Sequence, residues 1–181
     1  AIVKKPCHTM IYGITTANLG QPDYDLAMKQ HAAYIDALQQ CGVQVTILEA
    51  EEAFPDSCFV EDTAVLTRKF ALITNPGAPS RKGEIASMIP VIKQFYPENN
   101  IEYIKTPGTL EGGDVMMVGD HFYIGISART NREGAQQFIN ALKKYDMSGE
   151  MVPLSTVLHL KTGLSYIENN NLLIGGEFLE N

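Results

Sequence analysis

Phe70 and Phe122 stand 52 residues apart, and each follows an aspartate, Asp62 or Asp114, by eight positions. Leu172 opens an equivalent apolar run a further 50 residues on. Around each of these positions the same order recurs: an apolar run, a tight turn and a second apolar run. In the two complete copies an arginine, Arg81 or Arg129, then precedes a helical stretch. A period near 50 residues built of two or three strands and a helix is the signature of an arrayed or propeller-type fold. In such folds every unit presents the same edge to a common centre. The spacing therefore predicts an α+β chain of ββαβ repeats, with the acids, the arginines and His159 drawn together.

Within the repeat, residues 107–131 read PGTLEGGDVMMVGDHFYIGISARTN. Gly119-Asp120 between Val115–Val118 and Phe122–Ile126 predicts a hairpin turn. Gly112-Gly113 is expected to supply backbone shapes that other residues resist. The preceding copy has strands at 64–67 and 70–74, the loop NPGAPSRKG, a helix over 82–96 and a short strand at 101–104. The following helix is expected at 131–145, with a closing strand at 152–154. A third hairpin then turns at Asn169-Asn170. Upstream, HTMIYGITT reads as a strand over 8–16, followed by a helix capped by Asp23 or Asp25 and ending at Gly42. Its apolar face is Leu26, Tyr34, Ile35 and Leu38, and Val43, Val45 and Ile47 alternate as a strand.

Composition narrows the function. With 181 residues, 45% of them hydrophobic and 19% charged, the chain suits one compact domain over 1–181. A net charge of −7 without a basic stripe speaks against nucleic acid and accommodates a cationic ligand. No apolar run reaches membrane-span length. Cys7, Cys41 and Cys58 have no metal-ligand spacing, which predicts reduced thiols in the cytoplasm. No two of His8, His31, His121 and His159 stand at helical ligand spacing, so the histidines do not point to a metal.

Several carboxylates, one histidine and two arginines make a site for a small zwitterion with a cationic head. The acids hold the cation, and an arginine holds a carboxylate with paired hydrogen bonds. His159 on the run Val157–Leu160 reads two ways, as a proton-transfer group or as a hydrogen-bonded core histidine. Glu61 and Asp62 read equally as turn caps, and Arg129 as the partner of a surface acid.

The motifs PDSCFVEDTAVL, GAPSRKGE, PGTLEGGDVMMVGDHFYIGISARTN and VLHLKTGLSYIENNNLL, in this order, resemble bacterial dimethylarginine dimethylaminohydrolases. The resemblance starts near GITTANLGQPDY and covers nearly the whole chain. It implies the five-bladed α/β propeller of the guanidino-group-modifying enzymes, of which about three and a half blades would lie in these residues. It implies hydrolysis of methylated arginine to citrulline and a methylamine or dimethylamine through a covalent cysteine intermediate. His159 is similar to the family's general acid/base and Glu111 to its acidic partner. Asp62, with Glu61 and Asp56, resembles the groups that hold the substrate. Arg81 and Arg129 resemble those that bind its amino-acid end, and Ile14 stands where the family's substrate loop makes a backbone contact. No cofactor is implied. The partner is a small molecule, and exposed blade edges suit a homodimer. The family's nucleophile lies near its C-terminus, and none of the three cysteines matches its motif. Two alternatives stay open: an arginine or agmatine deiminase, against which Lys161 stands where an acid is usual, and a non-catalytic binder of arginine analogues.

Overall fold

The computed structural model describes residues 1–179; residues 180 and 181, the end of the expected domain, lie outside the described residues. The fold is a mixed α/β arrangement of small sheets, and it divides into two compact units, residues 1–60 and 61–181. Among the described residues no helix is long and apolar enough to cross a membrane.

In the first unit, strand β1 (Ile2–Lys4) pairs in parallel with β2 (Thr46–Leu48) across helix α1 (Tyr24–Gln40). Asp23 caps α1 by accepting from Leu26 N at 2.9 Å, and Gly42 follows the helix with φ +78°, the left-handed value that ends helices. Two expectations fail here. Residues 8–16 form no strand; His8–Tyr12 is a 3-10 turn, and the strand lies earlier, at the more apolar and β-branched Ile2-Val3. Of the predicted apolar face of α1, only Ile35 is buried, whereas Leu26 and Tyr34 are exposed. The periodicity marks an amphipathic helix, but burial also requires another element packed against each position.

The second unit repeats one pattern. β3 (Ala64–Leu66) pairs antiparallel with β4 (Ala71–Ile73), which pairs in parallel with β5 (Ile101–Tyr103) across α2 (Ile85–Ile92). β6 (Val115–Val118), β7 (His121–Ile126) and β8 (Ser148–Pro153) repeat that order, with α3 (Arg132–Lys144) as the crossover. α4 (Leu160–Gly163) then leads into the antiparallel hairpin β9 (Leu164–Glu168) and β10 (Asn171–Ile174). Asn169 and Asn170 both have positive φ, as a two-residue hairpin turn demands. Gly119, at φ +62°, makes the expected turn between β6 and β7. The 50-residue spacing thus corresponds to a real structural repeat, realised among the described residues of this unit as two three-stranded sheets and a hairpin.

Boundaries shift where local chemistry outweighs periodicity. The stretch expected as one helix over 82–96 is a 3-10 turn, Pro79–Glu84, followed by α2 with Pro90 inside it. β8 begins at Ser148, four residues before the predicted strand, because its register against β7 starts at His121.

The core lies between β4, β7 and α3. Phe70, Leu72, Leu110, Phe122, Ile124, Phe138 and Leu142 are almost fully excluded from solvent. Phe122 meets Phe138 edge to face at 5.4 Å, and Phe70 stacks on Tyr145 at 4.4 Å. Burying each phenylalanine contributes about 2–3 kcal/mol. The two phenylalanines that mark the sequence repeat therefore anchor equivalent strands of adjacent sheets on one helix.

Candidate active site

The loops preceding β3 and β6, and the residue preceding α4, meet in the second unit. Asp62 lies on the 3-10 turn Val60–Thr63, Glu111 just before the 3-10 turn Gly112–Asp114, and His159 caps α4. All three are at least nine-tenths buried. Nε2 of His159 lies 3.5 Å from Oε2 of Glu111 and 3.9 Å from Oδ1 of Asp62. Its Nδ1 is 3.2 Å from Oδ2 of Asp114, an ion-pair contact that departs from the line of an ideal hydrogen bond. Burial of the ring opposes its charge. Asp114, followed by Asp62 and Glu111, outweighs that and raises the His159 pKa above its ordinary value.

Each carboxylate has its own support. Glu111 accepts from Ala78 N at 3.0 Å and faces Nη1 of Arg129 at 3.2 and 3.4 Å. Asp62 accepts from Gly113 N at 2.9 Å and from Nη1 of Arg81. Arg81 in turn donates Nε and Nη2 to the two oxygens of Glu84, at 2.9 and 2.8 Å. Burial opposes the Arg81 charge, but Glu84 and Asp62 outweigh it and raise its pKa further. Asp114 accepts from Ser127 Oγ at 2.7 Å and from Leu160 N at 3.1 Å.

Gly112-Gly113 is required for closeness rather than for unusual dihedrals, since neither residue has a positive φ. A Cβ on Gly113 would stand 2.8 Å from Cδ2 of His159 and 3.0 Å from Oδ1 of Asp62. The imidazole and the carboxylate are packed directly over a bare backbone.

The predicted residues fall into distinct settings. Asp62, Glu111, Arg81, Arg129 and His159 form one network in the second unit. Arg81 is buried and already spans two carboxylates, whereas Arg129 keeps longer contacts with one. Glu61 is more exposed and pairs with Lys161. In the first unit, Asp56 accepts from Ile14 N at 3.0 Å, which ties the predicted loop contact to the predicted acid. Asp114 was expected among the converging acids but was given no role, and Glu84 was not singled out. Asp114 had a signal, its place eight residues before Phe122 in register with Asp62; Glu84 had only its i,i+3 spacing from Arg81.

Asp62, Glu111 and His159 each offer one ligand atom, all within 4.8 Å of one another, a set that can also hold a metal ion. Histidine spacing could not reveal it, because the three come from separate elements. Arg81 and Arg129 already place two positive charges on these carboxylates, and a planar guanidinium matches the remaining acceptors without needing metal-like coordination.

Comparison with known proteins identifies the family. Residues 19–178 match the family model described as N,N dimethylarginine dimethylhydrolase, eukaryotic. The N(G),N(G)-dimethylarginine dimethylaminohydrolase of Pseudomonas aeruginosa is 54% identical over 178 residues, covering 98% of this chain and 70% of that protein. The enzyme of the same name from Streptomyces coelicolor is 35% identical over 174 residues, covering 96% of this chain and 67% of that protein. A solved structure of the Pseudomonas enzyme, a cysteine-to-serine variant complexed with citrulline, superposes with a TM-score of 0.97 at 53% identity. It covers 99% of this chain and 70% of that one. Fold and sequence agree: the chain belongs to the dimethylarginine dimethylaminohydrolase family of hydrolases.

Proposed function

We propose that this chain binds an Nω-methylated arginine by its guanidinium and takes part in its hydrolysis to citrulline and methylamine or dimethylamine. The observation that carries the reading is the convergence of Asp62, Glu111 and His159, buried and within 4.8 Å of one another. Four buried carboxylates, Asp62, Glu84, Glu111 and Asp114, face two arginines and one histidine. Even with His159 protonated, the acids are in excess, which favours a cationic ligand. The Pseudomonas relative is named for this activity, and its variant holds citrulline.

In this reading Asp62 and Glu111 accept guanidinium N–H bonds. A cysteine thiolate attacks the guanidinium carbon, and the carbon–nitrogen bond to the methylated nitrogen breaks as His159 delivers a proton to the leaving amine. His159 then takes a proton from water, whose oxygen adds to the carbon. The carbon–sulfur bond breaks, releasing citrulline and the thiolate. The nucleophile is assigned to none of Cys7, Cys41 and Cys58. Arg129 binds the substrate carboxylate, Arg81 supports binding through Asp62, and Ile14, Asp56 and Glu61 contribute to the substrate loop and its surroundings. The reading includes a small-molecule partner, no cofactor, a homodimer, a cytoplasmic setting and a single α/β propeller domain. The repeated strand order of the second unit supports the propeller.

Titration calorimetry with asymmetric dimethylarginine, arginine and agmatine tests it. Dimethylarginine is expected to bind most tightly, and Asp62→Asn to weaken it at least ~10-fold, a charged hydrogen bond being worth about 1.5–3 kcal/mol. Absence of dimethylarginine binding overturns the reading. Tighter binding of arginine or agmatine reassigns the site to a deiminase, which the Lys161–Glu61 pair disfavours.

A further inference from the structure

The two nitrogens of His159 have different neighbours. Nε2 faces Glu111 and Asp62, the carboxylates assigned above to the ligand, whereas Nδ1 faces Asp114 at 3.2 Å. Asp114 is completely buried, and among the described residues its one ion pair is with His159. Its other donors are neutral and come from separate elements: Ser127 Oγ after β7, and the first amide of α4, Leu160 N. Ser127 is itself held by the amides of Arg129 and Thr130 on its oxygen, at 3.0 and 3.1 Å. The Asp114 carboxylate is therefore fixed before any ligand arrives.

We propose that Asp114 is a positioning residue that keeps the proton of neutral His159 on Nδ1 and so makes Nε2 the nitrogen that exchanges protons with the ligand. The last clause rests on the function proposed above. The physical requirement is general. A histidine that alternates between acid and base must present one nitrogen to the reacting group, and the bond at its other nitrogen sets which one is free. Glu111 lies on the Nε2 side, 3.5 Å away, so it bears on the ligand-facing nitrogen and not on Nδ1. The groups facing the ring are Asp114 from the end of the Gly112–Asp114 turn, Glu111 just before that turn and Asp62 from the Val60–Thr63 turn. Only the first acts on Nδ1.

The test is nitrogen-15 NMR of the His159 ring across pH, without ligand, in the wild type and in Asp114→Asn. The asparagine keeps an oxygen for Leu160 N and Ser127 Oγ while losing the charge. The wild-type ring is expected to be protonated on Nδ1 in its neutral form. In the variant its proton affinity is expected to fall about 10-fold or more, and the neutral proton to move to Nε2. If the variant is too unstable to study, Ser127→Ala frees the carboxylate from one anchor and is expected to mix the two neutral forms. A wild-type neutral ring protonated on Nε2 overturns the inference. So does a variant that loses stability while tautomer and midpoint stay unchanged, which would make Asp114 a structural cap of α4 alone. Because no ligand is present, these outcomes are separate from the calorimetric failure that would sink the proposed function.

Discussion

Arg81 and Glu84 meet through two parallel hydrogen bonds, Nε and Nη2 of the guanidinium to the two carboxylate oxygens. They stand three residues apart on a 3-10 turn, where positions i and i+3 lie one above the other. The remaining Nη1 reaches Asp62. Glu84 is therefore linked to the site through Arg81.

Glu84→Gln is expected to destabilise the protein by about 3 kcal/mol or more, since removing one partner of a buried ion pair leaves a poorly compensated charge. The midpoint of urea unfolding reads this directly, with an unchanged slope. A loss below ~1 kcal/mol would mean that the cluster relaxes or admits water.

The stability of the protein should depend on His159 with a definite sign. Its folded-state pKa is raised, burial being outweighed by Asp114, Asp62 and Glu111. Its contribution is then complete below the unfolded value of about 6.5 and is lost as pH rises through the raised folded value. Urea titrations of the wild type and His159→Gln between about pH 5.5 and 9 are expected to show the wild type's advantage shrinking with pH. A difference that grows with pH contradicts the assignment.

Gly113→Ala is expected to push the His159 ring off Asp62. The new Cβ meets two ring carbons at 2.8 and 2.9 Å, and the carboxylate on the other side leaves little room to retreat. Overpacking of this kind costs about 1–3 kcal/mol. Thermal unfolding measures the loss, and dimethylarginine binding is expected to weaken with it. Gly112→Ala should be worse, because its Cβ meets the backbone oxygen of Glu61 at 2.0 Å, which no rotamer change relieves.

In the first unit, Glu52 holds the turn that leads to Ile14. It accepts from the His8 ring at 2.9 Å and from the amides of His8 and Thr9 at 3.1 Å each. The His8 ring bond, followed by the His8 amide, lowers the Glu52 pKa to about 2. The latch is therefore complete above the ordinary carboxylate value of about 4.3 and lost as pH falls through about 2. Amide exchange at His8 and Thr9 is expected to lose protection over that acid range in the wild type and at every pH in Glu52→Gln. Equal protection in both proteins would exclude the latch.

The sequence by itself determined the repeat and most of its parts. Two phenylalanines at equivalent places marked paired strands, Gly119-Asp120 and Asn169-Asn170 marked turns, and the helix expected at 131–145 is α3. These features are local or periodic, so spacing along the chain records them. The identities of Asp62, Glu111, Arg129 and His159 as one group were also legible, through motifs in a fixed order. Which nitrogen of His159 meets which acid was not, because Asp62, Glu111, Asp114 and His159 come from different loops and ion pairing leaves no periodic trace. The same holds for the saturation of Arg81 and for the close approach over Gly113. The strand misplaced at residues 8–16 and the uncovered face of α1 have a related cause: local pattern sets what an element prefers, but burial depends on what the rest of the fold brings against it. Tertiary structure alone decided the charge arrangement of the site, because electrostatic energy depends on distance and burial in space rather than on separation in sequence.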